Sequence, residues 1–172
     1  MKPIYKMKNW QLLRARGAEG KVILSAGEFV AIGKRAFWGK HNRYIESVTL
    51  PTGVSVIKAE AFAECKNLRT VILPTGGSIG LSQGVFAGCT RLREVANSEN
   101  INSIGANAFA GCSSLQRIEL GKDLHRIGEG AFSGCCSLTS VTLPSSLREV
   151  GEGAFSNCQE LAFCTAPDTL ST

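Results

Sequence analysis

Ser137-Leu-Thr-Ser-Val-Thr-Leu-Pro-Ser-Ser-Leu-Arg-Glu-Val-Gly-Glu-Gly-Ala-Phe-Ser-Asn-Cys158 is the stretch that decides the fold, because its landmarks recur along the chain at a nearly fixed spacing. Phe155 is preceded by Phe132, Phe109, Phe86, Phe62 and Phe37, at intervals of 23, 23, 23, 24 and 25 residues. Five of these phenylalanines follow an alanine, and Phe86 follows Val85. Three residues after each comes Cys65, Cys89, Cys112, Cys135 or Cys158, with Lys40 breaking the column in the first unit, and six after comes Leu68, Leu92, Leu115, Leu138 or Leu161. Five before lies Ile32, Ile57, Leu81, Ile104, Ile127 or Val150. Chance does not set several columns in one register, so the chain is an array of stacked repeats.

Each unit carries the run Leu-x-x-Val-x-Leu, as in Leu68–Leu73, Leu115–Leu120 and Leu138–Leu143. Its Val-x-Leu pair alternates with period two, which puts both apolar side chains on one face of a short strand. Pro51, Pro74 and Pro144 end the strand, since proline lacks the N–H for the next ladder bond. Val54, Ile101, Leu124, Leu147 and the Ile column then send the chain inward again. Gly105, Gly128 and Gly151 are expected to permit a bend into a short helical turn carrying Ala-Phe. A single unit cannot close its own apolar faces, so neighbours must stack and bond strand to strand. The expected fold is a right-handed α/β-type leucine-rich repeat solenoid, with a parallel β-sheet on the concave face and short helical turns on the convex side. Residues 25–172 supply about six coils. Residues 1–24 read as an N-terminal capping segment, a β-hairpin of Trp10–Ala15 against Lys21–Leu24 about a glycine-containing turn. At the other end Leu161–Pro167 begins another strand and no polar cap follows it.

The pattern Leu-x-x-Val-x-Leu-Pro, then a hydrophobic residue, Ile-Gly, Ala-Phe and Cys, resembles the BspA-like, or Treponema pallidum type, subclass of leucine-rich repeats over about residues 22–167. The resemblance implies a bacterial or protist surface protein and, in several members, an adhesin that binds host proteins. It brings no catalytic residues.

The 172 residues are 44% apolar and carry a formal charge of +5, enough apolar content for a continuous core. The positive excess is confined to residues 1–24, with six basic side chains and Glu19 alone. Residues 25–172 hold 13 basic and 13 acidic side chains, which argues against nucleic-acid binding. The leading basic run reads as a solvated end or a contact to an anionic surface. No stretch is apolar for long enough to insert in a membrane, and the segment Met1–Trp10 has no signal-like hydrophobic region. As written, the chain is therefore expected in the cytoplasm, whereas the family resemblance implies a cell-surface or secreted location if the chain is part of a longer protein.

Five of the seven cysteines share one column, which suits a ladder of buried thiols donating to backbone carbonyls. A straight column cannot give zinc its tetrahedral convergence, and side chains leaving parallel strands are poorly aimed for disulfides. Cys136 lies outside the column and is the one expected to be exposed, while Cys164 falls in the Val column. With only His41 and His125, in units far apart, no Ser or Cys nucleophile has its base, and the recurrent Gly-Glu-Gly lacks a phosphate-loop lysine. No enzyme activity, metal or cofactor is expected.

The candidate protein-binding residues are those flanking the Val column on the open strand face: Ser47 and Thr49, Thr70 and Ile72, Glu94 and Ala96, Arg117 and Glu119, Ser140 and Thr142. A shallow, weakly polar face suits a protein or peptide ligand better than a small metabolite, which favours a deep pocket. A solvated face with no partner is the competing reading. A protruding corner at His41-Asn-Arg-Tyr44 is a further contact candidate. The alternative function is a structural or assembly unit, pairing as a homodimer through its C-terminal coil.

Overall fold

The computed structural model describes residues 4–8, 11–16, 19–24, 30–38, 42 and 44–165. Its strands are β1 (Ile4–Lys8), β2 (Gln11–Arg16), β3 (Gly20–Ile23), β4 (Ala31–Ile32), β5 (Ile45–Thr49), β6 (Val56–Ile57) and β7 (Thr70–Ile72). They continue as β8 (Ile79–Leu81), β9 (Glu94–Ala96), β10 (Ile101–Ile104), β11 (Arg126–Ile127), β12 (Ser140–Thr142), β13 (Glu149–Val150) and β14 (Phe163–Thr165). Most coils give one strand to the Val-column side and one to the Ile-column side, and the coil at Arg117–Glu119 gives only an isolated bridge on the first. The Val column forms the four-stranded sheet β3-β5-β7-β9 and the pair β12-β14, and the Ile column forms the sheet β1-β2-β4-β6-β8-β10-β11-β13. Register follows the repeat, with Val48 beside Val71 and Val71 beside Val95 in one sheet, and Ile104 beside Ile127 and Ile127 beside Val150 in the other. All of these pairs are parallel, as a coil that returns to its starting side requires.

The third side of the coil carries Ala-Phe, and it differs from expectation. Among the described residues no α-helix stands there. Around Phe62 the N–H groups of Glu60, Phe62 and Glu64 donate to Gln83, Val85 and Ala87 of the next coil, while those of Ala61, Ala63 and Cys65 close tight turns on Lys58, Glu60 and Phe62. Alternate N–H groups are thus committed to the neighbouring coil and cannot enter an i to i−4 helical series. The alternation requires left-handed backbone two residues before and after the ring, at Glu60 and Glu64 (φ 57° and 61°) and at Gly84 and Gly88 (φ 61° and 73°). The same bonding recurs at Phe109, which donates to Ala131, and at Phe132, which donates to Ala154. The consequence is a backbone ladder on all three sides of the coil.

The glycines after the Ile column also have a different reason from the one expected. Gly105, Gly128 and Gly151 are not in the left-handed region. A Cβ on Gly128 would lie 2.5 Å from the Ala106 nitrogen, and one on Gly151 would lie 2.3 Å from the Glu129 nitrogen. Glycine is needed there because successive backbones approach closely, not because the chain must bend.

Inside, Phe37, Phe62, Phe86, Phe109, Phe132 and Phe155 form one continuous stack, with neighbouring ring centroids 4.7 to 5.5 Å apart. All but Phe155 are fully buried, and the Leu, Val and Ile columns surround them. Each interior ring covers a large apolar area on both faces, so the stack is a main source of cohesion between coils.

At the start of the chain the expected pairing of 10–15 with 21–24 is replaced by another. β2 pairs antiparallel with β1 and parallel with β4, whereas β3 pairs parallel with β5, so the two segments lie in different sheets. The reason is the columns themselves: Leu12 sits beside Ile32 and Val22 beside Val48, and both are buried. These segments already follow the repeat. The Leu161–Pro167 segment supplies β14, which continues the Val-column sheet beyond β12.

Candidate functional site

The ten candidate residues share the outer face of the Val-column strands. Ser47, Thr70 and Glu94 are consecutive partners in one row, and Thr49, Ile72 and Ala96 in the next. Arg117 is bridged to Ser140, which sets the remaining four on two further rungs. Glu94, Arg117, Glu119, Ser140 and Thr142 are exposed, and the other five are half-buried.

Two more residues belong to these rows and were missed. β3 places Lys21 beside Ser47 and Ile23 beside Thr49, and Ile23 is 64% exposed. The signal was present: Lys21-Val-Ile-Leu24 has the same x-Val-x-Leu form as Ser47-Val-Thr-Leu50. Assigning it to a hairpin hid the match.

The face is not continuous. Between β9 and Arg117–Glu119 there is no strand pairing, and the four-stranded sheet stops there. The cause is local sequence. Where three other coils have Leu50-Pro51, Leu73-Pro74 and Leu143-Pro144, this one has Asn97-Ser98. Asn97 turns left-handed (φ 61°), and its side-chain amide donates to the Leu73 carbonyl at 2.7 Å. Ser98–Asn100 then forms a short 3-10 turn. The buried Ser98 hydroxyl accepts the Glu119 N–H at 3.1 Å, standing in for a ladder partner. One coil further on, Gly121 leaves room for this turn, since a Cβ there would lie within bonding distance of the Glu99 carbonyl oxygen.

The interruption opens a groove of about 470 Å³ between Arg93–Glu99 and Gln116–Glu119. A second hollow of about 370 Å³ lies on the far side of Arg117–Glu119 and reaches Ser140 and Thr142. Arg93, Glu94, Glu99, Arg117 and Glu119 therefore surround the groove with mixed charge. Ion pairs among the described residues are Arg35–Glu60, Lys66–Glu64, Lys122–Asp123 and Arg126–Glu149, none of them on this face.

The cysteine column forms the expected ladder. The thiols of Cys65, Cys89, Cys112, Cys135 and Cys158 each donate to the carbonyl of the phenylalanine one coil earlier, at 3.1 to 3.6 Å. Burial pushes the Cys65 and Cys135 thiols up to about 12 and those of Cys89 and Cys112 well above their usual range. A thiol held neutral is neither a good nucleophile nor a good metal ligand. Cys136 is only half-buried and donates to Gly134 at 3.4 Å. The Cys164 side chain and His41 lie outside the described residues. Beside His41, Asn42 is buried and donates to the Phe37 carbonyl at 3.1 Å. His125 is exposed on the Ile-column side, with Nδ1 3.4 Å from the Asp123 carbonyl oxygen.

A profile of the BspA type leucine rich repeat region matches residues 30–162 in six copies. Among solved structures the chain is similar to a leucine-rich repeat protein of T. pallidum, with 36% identity over 69% of this chain and 57% of that one and a TM-score of 0.66. It is also similar to one from Bacteroides ovatus, with 31% identity, 88% and 38% coverage and a TM-score of 0.77. A leucine-rich repeat protein of Eubacterium ventriosum, 20% identical over 94% of this chain and 43% of that one, shares the fold with a TM-score of 0.77. The chain thus spans about 57% or less of the length of these three relatives. No curated protein matches it.

Proposed function

The chain belongs to the BspA type leucine-rich repeat family, and on that premise we propose that it is a non-enzymatic, adhesin-like protein-binding module that works through the outer face of the Val-column strands. The observation that carries this reading is the interrupted sheet at Arg117–Glu119. Two half-buried rows of small, hydroxyl and apolar residues run into a groove whose charged side chains have no ion-pair partners among the described residues. Such a surface has apolar area, hydroxyl donors and charge open to a partner, in the mixture typical of non-obligate protein interfaces. The groove lies open to solvent, whereas a small-metabolite site encloses most of its ligand.

The test is affinity capture on the immobilised chain and on a variant carrying Glu94→Lys, Arg117→Glu and Glu119→Lys. A partner held by the first and released by the second supports the assigned face. Equal capture by both rejects it. A photo-crosslinking residue at Thr70 is expected to label the captured partner, whereas the same residue at Arg126, on the other sheet, is not.

A further inference from the structure

Although residues 25–172 balance in charge, their cations are unevenly placed. Two residues before the Val column, successive coils carry Glu46, Arg69, Arg93, Gln116 and Thr139. Arg69 and Arg93 are neighbouring rungs, since the Arg93 N–H donates to the Arg69 carbonyl at 2.9 Å. Their side chains leave backbones about 4.8 Å apart. Arg91 stands beside them, its guanidinium held by Asn67 Oδ1 at 2.8 Å.

These three arginines and Ser114 line a hollow of about 360 Å³, and no carboxylate lines it. The Ser114 hydroxyl donates to the Thr90 carbonyl at 2.7 Å, so the guanidinium groups are the hollow's available donors. All three arginines are exposed, and none is ion-paired among the described residues. Cations stacked on adjacent rungs repel each other, and guanidinium forks match a carboxylate in shape and charge. The hollow is thus poised for an anion.

We infer that it binds the Asp or Glu side chains of an acidic segment of a partner protein lying across the face, an inference that rests on the reading of that face as an interface. Charge complementarity selects this occupant over an extended polyanion. Glu46 precedes Arg69 in the column, Glu94 follows Arg93, and Glu160 lines a hollow with Gln116 and Thr139, the later members of the column. A continuous phosphate backbone would meet these carboxylates on both sides of the arginines. One or two carboxylates on a peptide strand meet the arginines alone, while the rest of the strand faces Ser47, Thr70 and Ile72.

The experiment uses the purified chain and a fluorescein-labelled diglutamate peptide, Ser-Thr-Glu-Glu-Thr-Ser, with Ser-Thr-Lys-Lys-Thr-Ser as a control, followed by fluorescence anisotropy. The diglutamate peptide is expected to bind, to weaken as salt is raised, and to lose roughly tenfold in affinity with Arg69→Ala and Arg93→Ala together. Arg69→Lys with Arg93→Lys is expected to restore part of the loss, and Arg126→Ala with Arg148→Ala to change nothing. Circular dichroism confirms that each variant is folded. No binding of the diglutamate peptide, or binding indifferent to Arg69 and Arg93, overturns the inference. Tighter, equally arginine-dependent binding of a single-stranded oligonucleotide also overturns it, as does a response to inorganic sulfate alone. The assay needs no natural partner, so its outcome separates from that of capture. If capture is lost on reversing residues 94, 117 and 119 but the diglutamate peptide does not bind, the face stands and the arginine site falls. The converse removes the face and keeps the site.

Discussion

The thiol of Cys112 donates to the carbonyl of Phe86 at 3.2 Å, across the junction between two coils. The proton that makes this bond is one the folded chain holds and the unfolded chain releases in alkali. Because burial raises the folded pKa above the ordinary 9.0, the unfolded state binds fewer protons once the pH exceeds that value. The contribution is complete below pH 9 and declines as the pH climbs towards the raised value, to about 12 for Cys65 and Cys135. The slope is about 1.4 kcal/mol per pH unit for each fully buried thiol. Denaturation midpoints measured from pH 8 to pH 11 are expected to fall steeply, and Cys112→Ala is expected to flatten the fall. An identical slope in the variant would show that the thiol does not contribute. In the native protein, a thiol reagent followed by mass spectrometry is expected to mark Cys136 well before Cys65, Cys89, Cys112 or Cys135.

Replacing Ser98 by alanine removes the acceptor of the Glu119 N–H while leaving that group in place. Leaving this part-buried donor without its partner costs about 1 kcal/mol. The loss is expected in the urea midpoint with an unchanged denaturant slope. No shift would mean that water reaches the Glu119 N–H and replaces the hydroxyl.

Gly121→Ala tests the same junction from the other side. Its new methyl would overlap the Glu99 carbonyl oxygen, so the 3-10 turn at Ser98–Asn100 must move. Overpacking of this kind costs about 1 to 3 kcal/mol. The variant is expected to lose stability by that amount and to lose capture of the partner along with it. Gly53→Ala, where a Cβ has open space but φ is 96°, is the comparison, expected to lose stability without losing capture.

How much of this was legible depended on whether a feature repeats. The Phe and Cys columns placed the rings inside the coil and gave the thiol ladder, because a side chain that recurs every 23 to 25 residues meets its own copies. The second strand of each coil, in the Ile column, was not expected: a strand of two to four residues is too short to show a period-two pattern. The bonding of the Ala-Phe segment was not legible. A helical turn and an alternating turn bury the same side chains, and only the partners of the Glu60, Phe62 and Glu64 N–H groups distinguish them. The Gly column was visible, but its cause was not, since a bend and a close approach both call for glycine. The candidate face followed from the period-two pattern, yet its interruption did not, although Asn97-Ser98 in place of Leu-Pro was there to be seen. Columns report what coils share. The groove arises where one coil departs from the rest, and the arginine hollow depends on side chains that the repeat leaves free to vary.

At the junction between the coil of Val95 and the coil of Ile118, the β8–β10 pairing persists on one side and the Phe86 to Ala108 bond on another, while the Val-column side has no strand pairing. In mechanical terms the rod is laced along two edges and unlaced along the third. Bending that opens or closes the third edge meets the least resistance at this one junction, so the compliance of the array is concentrated there, in the plane that changes the width of the groove.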